Sequence, residues 1–130
     1  MWTEILFLTT PLPAPPLPPD SIRGIAGAWA EFHGCVRATE QGKKISALNY
    51  DIHEIMARKV LTTHLENLAK KHGLVAARFW HRTGTVPVGE AAVYAAIAAP
   101  HRREAFAALA ELMDLLKTDV PIWKVEALPV

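Results

Sequence analysis

The sequence has little of several features that mark common classes of protein. Its single cysteine, Cys35, excludes an intrachain disulfide and favours a reducing compartment. No apolar run approaches the roughly 18 residues that a membrane-spanning helix needs, and the first residues lack the basic segment of a signal peptide. The net charge is only +1 with histidine neutral, which argues against a general nucleic-acid binder. We therefore expect a cytoplasmic protein whose partners include neither nucleic acid nor a membrane.

Motifs for metal and phosphate chemistry are also missing. The six histidines are dispersed and none has the spacing of a zinc-protease helix, so no metal site is predicted. There is no glycine-rich phosphate loop and no serine elbow. Cys35 with His33 is a conceivable nucleophile and base, but a lone cysteine in an apolar strand is more often a core residue. Glu90 is a conceivable carboxylate base, but in a loop rich in glycine and proline it is expected to make turn hydrogen bonds.

Composition indicates a folded chain with a packed core. Hydrophobic residues make up 51% and charged residues 21% of the sequence. The length of 130 residues suits one domain, and we expect residues 1–130 to form it. Prolines dominate residues 11–19, where neither a helix nor a central strand can persist. We interpret this connector as a surface spacer of polyproline character, and a ligand for a proline-recognising domain is the alternative.

The remaining pattern predicts an α+β fold, with two main helices on a mostly antiparallel sheet. Pro100 is expected in the first turn of the second helix, and Gly34 is expected to mark a bulge. Residues 91–98 are predicted to form a buried strand despite their alanines, and the second and third strands to pair as a hairpin. The predicted strands are 5–8, 27–37, 45–50, 74–82, 91–98 and 121–127, and the predicted helices are 53–72 and 101–117.

In the last third of the chain, basic side chains occur at the start of the second helix, in its last turn and in the strand that follows. His101, Arg102 and Arg103 fall at the start of the second helix, Lys117 in its last turn and Lys124 in the following strand. Cations at a helix start are disfavoured by about 0.3–1 kcal/mol each, whereas free N–H groups and positive side chains together suit an anion. Arg37 after the second strand and His81 and Arg82 at a strand end belong to the same basic set. If the set converges, it would hold a phosphorylated or carboxylated ligand beside a reactive amine. Solvated charges or local ion pairs are the alternative.

Five groups of residues occur in the order and spacing of one known family. They are Gly27-Ala28 with residues 32–37, Leu48-Asn49-Tyr50 before Met56-Ala57, residues 81–84 with 88–90, residues 100–102 with 105–106, and Leu116-Lys117 with residues 120–126. Any one of these motifs is weak evidence for the family, but five of them in the same order and spacing are specific to it. From about Gly27 to Glu126 the sequence resembles the large, catalytic subunit of molybdopterin synthase. The proline run departs from the family, which usually has a helical segment near its N-terminus.

The resemblance implies an α/β hammerhead-like fold and an enzyme of molybdenum cofactor biosynthesis. Members of the family transfer sulfur to cyclic pyranopterin monophosphate and so form the dithiolene of molybdopterin. The sulfur arrives as a thiocarboxylate on the Gly-Gly C-terminus of a small ubiquitin-like subunit. The family assembles as a heterotetramer, in which a central homodimer of large subunits carries a small subunit at each end. No metal or organic cofactor is implied for the transfer.

The resemblance also implies roles for five side chains. Lys117 and Lys124 are the expected catalytic residues, and Arg37, His101 and Arg102 are the expected substrate-binding residues. Lys117 is expected to act at the carbon that receives sulfur, and Lys124 to orient the thiocarboxylate tail. The alternative is a non-catalytic dimeric module that binds an anionic ligand or a ubiquitin-like tail. The presence of both lysines favours the enzyme.

Overall fold

The computed structural model describes residues 1–130 and contains eight strands and two α-helices. Every predicted helix and strand is present, and two short strands, β3 and β6, are additional. The strands are β1 (Trp2–Leu8), β2 (Ala28–Cys35), β3 (Thr39–Glu40), β4 (Lys43–Ile52), β5 (Ala76–Arg82), β6 (Gly84–Pro87), β7 (Ala91–Ala99) and β8 (Ile122–Pro129), and the helices are α1 (Glu54–His72) and α2 (Arg102–Thr118).

The strands form two sheets. The first has the order β1-β5-β7-β2, in which only β1 and β5 are parallel. In the second, β4 pairs antiparallel with β3, β6 and β8. The predicted α+β fold with a mostly antiparallel sheet is confirmed. The predicted hairpin between the second and third strands is wrong, because β2 pairs with β7 in one sheet and β4 pairs with β8 in the other.

Both helices cover one face of the first sheet. Leu61 and Leu65 of α1 and Leu112 of α2 are fully buried in the cluster that also contains Phe79 and Ile97 of the sheet. The central strand β7 is mostly alanine, and its small side chains allow the layers on both faces to pack closely against it. The prediction of a buried strand here is confirmed, since tertiary packing overrides the weak β-propensity of alanine.

The two helices begin and end differently. The Nδ1 atom of His53 accepts a hydrogen bond from the backbone N–H of Met56 at 3.2 Å, and Gly73 ends α1 in the left-handed conformation. In α2 the residue before the first turn is His101, which is extended and makes no side-chain capping bond. Pro100 therefore lies outside the helix and not in its first turn as predicted. Neither helix is long and apolar enough to cross a membrane.

The proline-rich connector lies on the opposite face of the first sheet. Residues 11–19 form no helix or strand, as expected from their prolines. Leu12 packs beside Trp80 and Tyr94, and the carbonyl of Pro16 accepts a hydrogen bond from the Arg78 guanidinium at 3.4 Å. The connector is therefore held to the sheet by an apolar contact and by a polar one.

Candidate active site

Lys124 lies in an ion pair on the second sheet. It stands opposite Tyr50 in the ladder between β8 and β4. Its ammonium group is 3.4 Å from each carboxylate oxygen of Glu40. The Lys124 side chain is 49% exposed, whereas that of Glu40 is only 23% exposed. A ligand from solvent can therefore reach the ammonium group more easily than it can reach the carboxylate.

A two-residue turn fixes the position of Glu40. Gln41 and Gly42 have φ angles of 51° and 79°, and Glu40 pairs with Lys43 across the turn. Positive φ at both central positions is typical of the type I′ turn, whose twist matches that of a hairpin. The predicted turn at Gln41-Gly42 is confirmed. Nothing but its position directly before this turn marks Glu40 in the sequence.

The Tyr50 ring lies beside this ion pair, and the His81 ring packs against Tyr50. The rings of Tyr50 and His81 meet edge to face, with centroids 5.1 Å apart. Burial and the negative charge of Glu40 raise the pKa of the Tyr50 hydroxyl above 10, so it stays protonated at neutral pH. Burial lowers the pKa of His81, against the opposing effect of its 2.7 Å hydrogen bond from Nδ1 to the Arg82 carbonyl. His81 is therefore neutral at pH 7 and adds no positive charge to the site.

Arg82 and Glu90 neutralise each other. The buried Arg82 guanidinium donates a hydrogen bond to the Glu90 carboxylate at 2.8 Å. The predicted turn hydrogen bond of Glu90 is confirmed, since its backbone N–H donates to the Pro87 carbonyl at 3.1 Å. Its side chain forms the ion pair in addition, because the loop after β6 returns it to the end of β5. The charge of Arg82 is thus already paired, so it is not available to an incoming anion.

The segment around Cys35 offers no assembled nucleophile. The register between β2 and β7 shifts between Gly34 and Cys35, which confirms the predicted bulge. Cys35 is exposed beyond this shift and is not the core residue that its apolar neighbours predicted. His33 packs against the ring of Tyr94, with centroids 5.0 Å apart. No three His, Cys, Asp or Glu side chains lie together as metal ligands.

Lys117 and Arg37 are exposed cations outside the ion pairs of the structure. Lys117 is exposed in the last turn of α2, and Arg37 is exposed three residues before Glu40. Neither side chain takes part in an ion pair. Lys117 and Lys124 stand on either side of the short link between α2 and β8. Each of these three side chains is accessible to an anion from solvent.

The other two predicted site residues lie at the far end of α2. His101 and Arg102 are exposed and line an open surface depression with Arg103. Arg102 and Lys117 are fifteen positions apart in one helix, which corresponds to about 22 Å. His101 and Arg102 therefore do not share a site with Lys117 of the same chain, and the grouping of the five residues in one site stays a prediction. The length of α2 is the physical reason for this separation.

Gly27 packs closely against Pro100, the residue before His101 and Arg102. A Cβ atom at Gly27 would lie 2.2 Å from the carbonyl oxygen of Pro100, which precedes α2. We expect Gly27→Ala to destabilise the protein by about 3 kcal/mol, the upper end of overpacking effects, because backbone must move to relieve the contact. Gly24→Ala is the control, since a Cβ there meets no atom and only its left-handed conformation costs about 1 kcal/mol. If Gly27→Ala and Gly24→Ala lose equal free energies of unfolding in urea, the tight packing of Gly27 against Pro100 would be contradicted.

The sequence and the structure of this chain are similar to the same group of known proteins. The family described as "MoaE protein" matches residues 19–119. A protein of Oryza sativa subsp. indica named molybdopterin synthase catalytic subunit is 40% identical over 108 residues, which are 82% of this chain and 56% of that protein. This chain thus spans about half the length of that relative.

Two solved structures share the fold. Molybdopterin synthase from Staphylococcus aureus superposes with a TM-score of 0.76 at 28% identity, over 91% of this chain and 86% of that one. A complex of subunits 1 and 2 of molybdopterin-converting factor from Helicobacter pylori gives a TM-score of 0.71 at 20% identity, over 97% of this chain and 89% of that one. With the family match extending over residues 19–119, the chain belongs to the MoaE protein family.

Proposed function

We propose that this chain is the catalytic subunit of a molybdopterin synthase. It transfers sulfur from a thiocarboxylated small ubiquitin-like subunit to cyclic pyranopterin monophosphate. The observation that carries the proposal is the placement of Lys117 and Lys124 on either side of the α2–β8 link, both reachable from solvent. Relatives of this chain bear the name of that enzyme, which supports the same chemistry here.

The chemistry requires cations near a developing negative charge. In each transfer a carbon–sulfur bond forms on the pterin side chain as a carbon–oxygen bond on the same carbon breaks and its oxygen leaves, and the carbon–sulfur bond to the tail breaks. Water supplies the oxygen that restores the tail to a carboxylate. We assign Lys117 to the pterin carbon as proton donor and acceptor, and Lys124 to the anionic end of the tail. Arg37 supplies a charge-assisted hydrogen bond for the substrate phosphate.

A homodimer would reunite the two groups of basic residues. His101 and Arg102 are too far from Lys117 of their own chain to share a substrate with it. A two-fold axis places the same surface of both protomers at the interface, so the start of α2 in one protomer can approach the end of α2 in the other. We propose that each site combines Lys117, Lys124 and Arg37 of one protomer with His101 and Arg102 of its partner.

Mixing two inactive variants tests this arrangement. We expect Lys117→Ala and Arg102→Ala each to be nearly inactive alone. When equal amounts are mixed and allowed to exchange protomers, half of the dimers are mixed and each has one intact site, so about a quarter of the wild-type rate returns. Activity would be measured before and after exchange. Absence of any recovery among demonstrated mixed dimers would contradict a site shared between protomers.

The function itself is tested by reconstitution. We expect the chain to bind a small Gly-Gly-ended ubiquitin-like subunit and, once that subunit carries a thiocarboxylate, to convert cyclic pyranopterin monophosphate into molybdopterin. The same subunit with an ordinary carboxylate is the matched control and should give no product. Binding of the tail without any product would instead support the non-catalytic module. The assignment of residues 1–130 to one domain and the cytoplasmic location stay predictions.

A further inference from the structure

We infer that Glu40 is the built-in counter-ion of Lys124 and that it weakens the hold of this lysine on the spent, carboxylate-ended tail of the small subunit. The inference rests on the proposed function and extends it to a residue that sets release of the used sulfur carrier. Glu40 does not touch the reacting atoms, and it acts through the charge that it places beside Lys124.

The geometry of the ion pair is the first support. Both carboxylate oxygens of Glu40 lie 3.4 Å from the Lys124 ammonium, so the carboxylate faces that group with both of its acceptors. No other carboxylate pairs with Lys124. The tight turn at Gln41-Gly42 leaves the backbone of Glu40 little freedom to withdraw. The negative charge is therefore a lasting feature of the site.

The exposure of the two partners is the second support. Lys124 is about half exposed, and an ammonium group has three hydrogen-bond donors, so it can bind a second anion from the solvent side while it still contacts Glu40. The incoming carboxylate then stands within several ångströms of the Glu40 carboxylate, which repels it. Coulomb repulsion at that distance near a protein surface corresponds to about threefold to tenfold in affinity.

This repulsion has a use in a cycle that needs two sulfur atoms. Each small subunit delivers one sulfur and leaves its tail as a carboxylate, which must depart before a second loaded subunit can enter. A lysine without a counter-ion would hold that carboxylate more tightly. Glu40 therefore favours exchange of the spent carrier over its retention.

The test compares Glu40→Gln with Glu66→Gln. Glu66 is an exposed carboxylate on α1 outside every ion pair, so its variant removes the same charge away from the site. Affinity would be measured for the small subunit with a carboxylate C-terminus and with an amidated one. We expect Glu40→Gln to tighten binding of the carboxylate form about threefold to tenfold and to leave the amidated form unchanged. Glu66→Gln, and Glu40→Asp, which keeps the charge, should resemble the wild type.

A second measurement needs no partner. Because the charge of Glu40 contributes to the raised pKa of Tyr50, Glu40→Gln should lower that pKa in a spectroscopic tyrosine titration, and Glu66→Gln should not. An unchanged Tyr50 titration would overturn the placement of Glu40. Equal affinity of wild type and Glu40→Gln for the carboxylate tail would overturn the inference alone. Failure of the wild type to bind either tail would contradict the proposed function, and the inference with it.

Discussion

Replacing Lys117 with alanine is expected to lower the rate of molybdopterin formation by about 100-fold or more, the range typical of a lost general acid or base. Lys117 is exposed and forms no ion pair, so its ammonium group contributes little to the fold. We therefore expect the free energy of unfolding and the affinity for the small subunit to stay close to those of the wild type. The loss should appear in the chemical step under single-turnover conditions.

Lys59→Ala is the matched control for this variant. Lys59 is an exposed lysine on α1 that also lies outside every ion pair, so both substitutions remove one positive charge from a helix surface. We expect the control to retain the wild-type rate. A Lys117→Ala protein that is folded and still makes molybdopterin at the normal rate would contradict the catalytic role of Lys117.

Replacing Glu4 with alanine is expected to destabilise the protein by about 3 kcal/mol, the lower end of the range for breaking a buried ion pair. Glu4 pairs with the guanidinium of Arg78 at 3.0 Å, and the Arg78 side chain is only 5% exposed. The same Glu4 oxygen accepts a hydrogen bond from the indole of Trp80 at 2.8 Å. The variant leaves a buried cation without a carboxylate and a buried N–H group without its acceptor.

Other contacts of Arg78 keep the loss from being larger. Its guanidinium carbon lies 5.0–5.8 Å from the ring centroids of Trp2, Trp29 and Trp80, and these contacts survive the substitution. Asp20→Ala is the control, because it breaks an exposed pair with Arg23 that contributes less than about 1 kcal/mol. Urea unfolding measures both variants. Equal and small losses of unfolding free energy in Glu4→Ala and Asp20→Ala would contradict the stabilising role of the buried Glu4–Arg78 pair.

Local patterns in the sequence predicted the elements better than their pairing. The apolar repeat of α1 and the apolar run of β7 are visible within one segment, whereas the partner of a strand depends on distant residues. This is why β2 could be predicted as a strand and still be assigned to the wrong neighbour. The start of α2 was also predicted one residue too early. His101 is extended and the helix begins at Arg102, so Pro100 lies outside its first turn.

The pattern of basic residues indicated a candidate anion site, and the family resemblance assigned roles to its residues. Spacing along the chain places Lys117 and Lys124 near one another, because a short link joins α2 to β8. It also separates Arg102 from Lys117 by the length of the predicted helix over residues 101–117. Glu40 reaches Lys124 through a hairpin turn and a strand pairing, so its role depends on three-dimensional contacts that its local sequence does not encode.

The most direct test of the proposed chemistry follows the sulfur atom itself. A small subunit carrying an isotopically labelled thiocarboxylate would be mixed with this chain and cyclic pyranopterin monophosphate under single-turnover conditions, and the label in the pterin would be measured over time. We expect the label to pass into the pterin with the wild type and the Lys59→Ala control, and to remain on the small subunit with Lys117→Ala. Label that stays on the small subunit with the folded, partner-bound wild type would contradict the account.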